Sequence, residues 1–381
     1  MSNVFAALAD IWTSAMSERE VRKTRDGLVA DFLKDLQRYG FWRKEDVIIA
    51  LLLALLFTIL RLALRKIIFK PFVRHVRMAT ENAVKFPESG WKALYYTSAW
   101  TYTFYLMTQH SEFFFKPESV WFGWKRGINV PRDIYVIYVA QLGFYIHSLY
   151  ATFFLDEKRK DHFMMAFHHV VSIFLIVFSL AIRYHNIGLV LLFLHDLNDV
   201  VLEISKCFLY MKTRDGKDHS VWEVLANIGF GIFMITWFVM RIYWFFYKLL
   251  YSAGHQALSI IPSGPFYFFF NTMLWTVFLM NCYWYFFIIK AAFGILLGKG
   301  VQDTREVSSK EKKQVAMKED EKLEEDVASE IAEVRDSLSN LNLGEREQND
   351  DVTDDDDDNI EMMEVEYNED DVEIRKRQVE E

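Results

Sequence analysis

Long apolar stretches alternate with short polar connections over most of the chain. The apolar stretches run approximately over residues 47–64, 91–107, 134–155, 163–182, 187–210, 221–250 and 266–297. A helix of about 20 apolar residues crosses the roughly 30 Å hydrocarbon layer of a bilayer. The pattern therefore predicts an all-α integral membrane protein, a bundle of about seven transmembrane helices. The last two stretches are longer than a crossing needs and are expected to tilt or to emerge. Trp91, Tyr210 and Trp222 stand at stretch ends, where amphipathic rings favour the membrane–water boundary.

The two ends of the chain are patterned differently. Residues 26–42 place Leu28, Phe32, Leu33, Leu36 and Tyr39 on one helical stripe, which predicts an amphipathic helix lying on the membrane surface. Near the other end, Leu323, Val327, Ile331, Val334, Leu338 and Leu341 recur at helical spacing. That predicts a coiled coil or a docking helix, with a solvated helix as the alternative. Asp354–Asp358 is an unbroken acidic run, which cannot bury apolar surface and is expected to be disordered. The expected organisation is an N-terminal segment over residues 1–45, a transmembrane domain over 46–298, and an acidic tail over 299–381.

Composition sharpens this picture in a few places. The chain is 52% hydrophobic, yet its net charge is −9, drawn largely from the tail, so a basic nucleic-acid binder is excluded. The two cysteines, Cys207 and Cys282, both fall in apolar stretches, which argues against a disulfide framework or a cysteine metal site. The first 44 residues hold no apolar core, so no cleavable signal peptide is expected. Lysine and arginine concentrate in the first, third and fifth connections, at Arg61–Lys85, Lys158–Lys160 and Lys212–Lys217. The positive-inside rule puts those connections and the C-terminus in the cytosol and the N-terminus in the lumen.

Against that apolar background, a few polar groups need a reason. His168 and His169 sit inside the fourth stretch, with Ser172 between them on a helical projection. The fifth carries His195, Asp196, Asp199, Glu203 and Lys206, all within about a 100° sector of a helix. An ionisable side chain at a bilayer centre costs about 2.5–3.5 kcal/mol on insertion scales, so such a group marks a functional site by default. Only residues 183–186 separate the two stretches, so an antiparallel pair is expected, its polar sectors facing one cleft that opens to the cytosol. Lys158, Arg159, Lys160, Lys212 and Arg214 would rim its mouth and suit a phosphorylated, water-soluble co-substrate. A neutral imidazole can take a proton from an attacking amine or hydroxyl, or accept an acyl group itself. Asp196 or Asp199 would orient it. Glu203 and Lys206 also suit an internal ion pair. A di-iron centre is disfavoured, because His162 and the pair His168-His169 have no second paired-histidine box to complete a ligand set.

These residues resemble a known signature. Residues 161–210 are similar to the motif of longevity-assurance-type ceramide synthases, which carry the TLC membrane domain. Met165, His168, His169, Gly188, His195, Asp196, Asp199, Leu202, Glu203, Lys206 and Tyr210 match. Ser172, Asn186, Asn198 and Leu209 depart from it, and Asn186 and Leu209 are the departures that touch substrate fit. The wider resemblance covers about residues 45–298 and includes Phe269-Phe270-Asn271 and Tyr283-Trp284. It implies acyl transfer from acyl-CoA to the amine of a sphingoid base (sphinganine or sphingosine), forming (dihydro)ceramide in the endoplasmic reticulum membrane. It makes His168, His169, Asp196 and Asp199 catalytic, with His195, Ser172, Glu203 and Lys206 as substrate-binding neighbours. No bound cofactor and no metal are implied, acyl-CoA being a co-substrate. The partners implied are acyl-CoA, a sphingoid base and membrane lipid, with a homo- or hetero-dimer left open. The connection at about residues 251–265 is implicated in acyl-chain length. The alternative is a non-enzymatic TLC protein, a lipid sensor or translocon-associated helper, though such relatives typically lack the paired histidines.

Overall fold

The computed structural model describes residue 13, residues 28–262 and residues 264–297. The patterned tail over 299–381 lies outside the described residues, as does most of the segment before residue 28. Each apolar stretch lies on a helix. Leu28–Tyr39 is α1. Lys44–His75 is α2, with a π turn at Arg65–Phe69. Thr80–Gln109 is α3, Arg132–Phe154 is α4, His162–Ile182 is α5 and His185–Met211 is α6. Ser220–Ile260 forms one long helix, α7, whose backbone takes π geometry over Trp237–Leu250. Tyr267–Leu296 is α8. Five of these, α2, α4, α5, α7 and α8, are long and apolar enough to cross a membrane. The other two predicted crossings, on α3 and α6, carry too many polar side chains to qualify on apolarity alone.

Small residues let these helices approach closely. Ala50 and Ala54 of α2 are buried against α4, where a Cβ added to Gly143 would press on the Ala50 carbonyl and on Leu53. The α5–α6 connection is a single tight turn. Arg183 takes the left-handed conformation (φ 68°), and the Tyr184 N–H reaches back to the Ser179 carbonyl at 2.8 Å.

The connections sort into two ends. At one, Arg159 bonds Glu88 at the start of α3, Lys92 bonds Asp156, and the Asp215 N–H reaches the Arg77 carbonyl at 2.9 Å. All three basic connections thus lie together. At the other end, Trp124 donates to the Ile182 carbonyl, Tyr184 to that of Pro265, and Trp121 to Ser252 Oγ at 2.9 Å.

The fold is helical as the pattern predicts, with one short two-stranded hairpin, Thr213–Arg214 against Lys217–Asp218, closed by Asp215 (φ 52°) and Gly216 (φ 67°). Two consecutive positive-φ residues give the turn whose twist matches the strands, and Asp-Gly suits it. Three expectations change. The connection expected over residues 251–265 is mostly helix, because α7 continues to Ile260 with Ala253, Gly254 and Ala257 buried. The stripe of α1 serves the bundle rather than a lipid surface alone, since Phe32 packs on Phe266 with ring centroids 5.0 Å apart. Leu36 and Tyr39 pack on the core likewise, while Leu33 is left exposed. Finally, α5 and α6 are antiparallel neighbours but not principal partners. The main contacts of α6 are with α3 and α7, and those of α5 are with α4.

Candidate active site

Five helices, α3 to α7, bring the polar groups of the interior to one cavity of about 1610 Å³, counting its open part. It begins at the basic end, beside Asp156, Arg159 and His162, and reaches inward to Tyr96, Tyr145, His168, His169 and Asp199. Its other wall is apolar, built from Phe230, Phe233 and Trp237 of α7 and Phe287, Ile288 and Ala291 of α8. A compartment with charge at one end and hydrocarbon along one side suits an amphiphilic molecule.

His168 and His169 are both buried and both line this cavity. The His168 ring lies edge-on to Trp284 (5.5 Å between centroids) and nearly parallel to His195 (6.5 Å). Its Nδ1 is buried without a hydrogen-bond partner. The Nδ1 of His169 lies 3.4 Å from Thr152 Oγ1. Tyr145 stands beside both imidazoles, 6.3 and 5.9 Å from them, and the two imidazoles are 5.9 Å apart. Ser172 is buried, with its hydroxyl in hydrogen-bonding reach of Tyr145.

On α6 the predicted sector divides. Asp199, Glu203 and Lys206 line the cavity, the last two as an ion pair at 3.0 Å. Asp196 does not; it is fully buried and accepts a hydrogen bond from Gln141 Nε2 of α4. His195 also lies behind the wall, with Nε2 3.4 Å from Asn281 Nδ2 and its ring on Phe245. Neither aspartate hydrogen-bonds His168 or His169, so the expected orienting contact is absent among the described residues. The reason is the packing of α6: its carboxylates turn toward α4 and α7. Asp199 pairs instead with Arg241 of α7, at 2.6 Å.

The mouth also differs from expectation. Of the expected rim, Arg159 alone lines the cavity among the described residues. Lys158 and Lys160 are exposed, Lys212 bonds Glu223 at 2.8 Å, and the Arg214 guanidinium covers Trp222. The charge at the mouth comes from a network that sequence spacing missed. Arg61 bonds Asp156 at 2.5 Å; Lys92 bonds Asp156 and Glu88, each at 2.7 Å; Arg159 bonds Glu88 at 3.0 Å. Burial works against the charge on Asp156, yet Lys92 and Arg61 beside it hold its carboxyl well below the usual carboxylate range. Lys92 follows Trp91 directly, and nothing in its local spacing marks it out. Arg241 carried a usable signal, since it is a lone arginine deep in an apolar stretch.

Asn186 is far from the histidines. Its Nδ2 donates to the Val120 carbonyl at the opposite end, so it does not shape this cavity. Leu209 does line it, near the mouth. Cys207 and Cys282 are free thiols. Among the described residues, no group of three or more His, Cys, Asp or Glu could hold a metal ion. A second pocket of about 560 Å³ lies in the other half of the bundle, lined by Leu175, Ile176, Leu191, Leu249, Ala253 and Phe270 among others, nearly all apolar.

Comparison with known proteins places this architecture. The family model described as the TLC domain matches residues 85–290. The chain is 41% identical over 282 residues to ceramide synthase 1 of Homo sapiens, covering 73% of this chain and 80% of that protein. It is likewise 41% identical over 281 residues to ceramide synthase 1 of Mus musculus, again 73% and 80%. With ceramide synthase LOH1 of Arabidopsis thaliana it shares 28% identity over 302 residues, 72% of this chain and 92% of the other. The matched segment runs from the first turns of α3 through most of α8 and so contains nearly all of the histidine-lined cavity: the chain belongs to the TLC-domain family, among its ceramide synthases.

Proposed function

We infer that the chain is a ceramide synthase, an acyltransferase that moves a fatty acyl group from acyl-CoA to the amine of a sphingoid base. The observation that carries this is the imidazole pair of His168 and His169 on the wall of a cavity with one charged mouth and one apolar flank. In the reaction the thioester C–S bond breaks and an amide C–N bond forms. The amine must give up a proton and the departing thiolate must gain one. A buried imidazole serves both transfers. It also serves as a transient acyl acceptor, which lets free CoA leave by the mouth before the amine arrives.

Lys92 and Arg159 lie where the CoA phosphates would rest. The acyl chain extends into the apolar pocket beside Leu249 and Ala253. Asp199 accepts a hydrogen bond from the sphingoid amine. Asp196 acts from behind the wall through Gln141, and His195 and Ser172 support the rings in front of them. Glu203 and Lys206 contact the polar head of a substrate nearer the mouth. Seven helices, α2 to α8, cross the endoplasmic reticulum membrane, with the basic end and the C-terminus in the cytosol and the N-terminus in the lumen.

Purified protein in lipid nanodiscs, given sphinganine and a panel of acyl-CoAs, tests this by mass spectrometry of the lipid product. Amide formation is expected for the intact chain and is expected to vanish in His168→Ala and His169→Ala. Wild-type turnover in both variants would remove the histidines from the chemistry. Exposure to acyl-CoA alone, followed by mild digestion, is expected to leave one acyl mass on a peptide containing His168 or His169. Its absence under conditions that preserve acyl-imidazole favours direct attack of the amine.

A further inference from the structure

Arg241 is a guanidinium held in the apolar interior, and the chemistry described so far gives it no task. Its side chain is 4% exposed. Nη2 donates to the Asp199 carboxylate at 2.6 Å and to the main-chain carbonyl of His195 at 2.8 Å. The guanidinium covers the Trp237 indole, with Cζ 4.3 Å from the ring centroid. The Arg241 main-chain carbonyl lies 3.4 Å from Asn281 Nδ2, on α8. Arg241 and Asp199 share the cavity wall, and Asp199 is the more open of the two, at 22% exposure.

We propose that Arg241 is a positioning residue for the incoming amine: it fixes the Asp199 carboxylate on the cavity wall as a hydrogen-bond acceptor for the sphingoid base. The proposal rests on the acyl-transfer function and on Asp199 facing the amine. His195 and Asp199 stand one helical turn apart on α6, and one nitrogen of Arg241 grips both. The carboxylate therefore cannot swing along its own helix toward the mouth, where Glu203 and Lys206 sit. The Trp237 face covers the guanidinium from the far side, and the Asn281 contact holds the Arg241 backbone.

Charge gives the second half of the argument. An unpaired carboxylate in a hydrocarbon setting would bind the sphingoid base as an ammonium ion. The nitrogen lone pair would then be occupied by a proton and unable to attack. A carboxylate already matched by a guanidinium accepts a hydrogen bond from the neutral amine and leaves the lone pair for the acyl carbon. Lysine is a poor substitute, because the rigid guanidinium plane aims the two N–H bonds of Nη2 in fixed directions, whereas an ammonium on a flexible stem does not.

Four variants in lipid nanodiscs test this: Arg241→Lys, Arg241→Gln, Asp199→Asn, and the double Asp199→Asn/Arg241→Gln, which is charge-neutral. Michaelis constants are measured separately for sphinganine and for acyl-CoA, with size-exclusion profiles as the folding control. Arg241→Lys is expected to raise the KM for sphinganine about tenfold and leave that for acyl-CoA within about twofold. Asp199→Asn is expected to act in the same direction, and the double variant to be no worse than Asp199→Asn alone. A counter-charge needed only for folding predicts wild-type constants in Arg241→Lys, and that result overturns the proposal. So does an effect on acyl-CoA alone. If Arg241→Lys does not fold, the double variant decides, and a sphinganine KM well above that of Asp199→Asn counts against coupling. Wild-type kinetics in Asp199→Asn would instead strike the assignment of Asp199 itself.

Discussion

The His168 imidazole stands edge-on to the Trp284 indole, 5.5 Å between ring centroids, while the indole N–H donates to Asp161 Oδ2 at 3.1 Å. Asp161 begins α5 at the basic end, so one α8 side chain spans from the start of that helix to its buried histidine. Trp284 thereby holds α8 against α5 and fixes the plane of the ring that needs it. Replacing Trp284 by Phe keeps an aromatic face but removes the tether. Turnover is expected to fall roughly tenfold, as loosening of a reacting group does. Trp284→Ala is expected to fall further, with protein yield unchanged. Equal activity of the phenylalanine variant and the wild type would show that the tether to Asp161 is dispensable.

Asp156 ties α4 to α2 and α3 through Arg61 and Lys92. Removing one partner from a buried network leaves a charge uncompensated, so Asp156→Asn is expected to destabilise by about 3 kcal/mol. The sign with pH follows from the lowered carboxyl. Its contribution is fully present above the ordinary carboxylate value near about 4, and it is lost as pH falls below that toward the depressed value. Thermal melts in detergent at neutral and strongly acidic pH read this directly: the gap between wild type and Asp156→Asn is expected to close in acid. A gap that persists unchanged there contradicts the assignment.

Orientation is open to a labelling experiment. Cysteine placed at Asp215, in the exposed hairpin turn, is expected to react with an impermeant maleimide from the cytosolic side of sealed microsomes. Cysteine at Arg126, at the opposite end, is expected to react only after the membrane is opened. The reverse pattern turns the protein over and moves the cavity mouth to the lumen.

Ala253 borders the apolar pocket and is buried against α8. Leucine there takes up space that hydrocarbon would fill. Ala253→Leu is expected to shift preference toward acyl-CoAs shorter by a few carbons without lowering the rate on the shortest accepted ones. Product profiles from mixed acyl-CoAs measure it. An unchanged profile places the acyl chain elsewhere.

Much of this was legible from side-chain pattern. Lipid demands internal hydrogen bonding of the backbone, so apolar stretches of crossing length leave helix as the choice, and each became one. The paired histidines stood out because hydrocarbon tolerates few such groups. What local pattern could not give was the neighbour on each face. Asp196 and Asp199 fall in one sector of α6, yet the border between cavity and α4 runs between them. Residues 251–260 looked like a connection, with Ser252, Gly254, His255 and Gln256, but small side chains packed against the segment around Trp121 keep them helical. The mouth network joins Arg61 to Asp156 and Glu88 to Arg159, pairs too distant in sequence for any spacing rule to link.

Helix α7 runs unbroken from Ser220 to Ile260. At a rise of about 1.5 Å per residue it is roughly 60 Å long, about twice the hydrocarbon thickness, and no ordinary tilt absorbs the excess. In a single crossing its far segment would stand clear of the lipid, beside the short turns around Trp121 and the start of α8. The apolar pocket is bordered there by Trp121, Tyr184 and Tyr267. With the acyl chain in that pocket, as proposed, chain-length selection is set within the polypeptide and is expected not to change with the thickness of the host membrane.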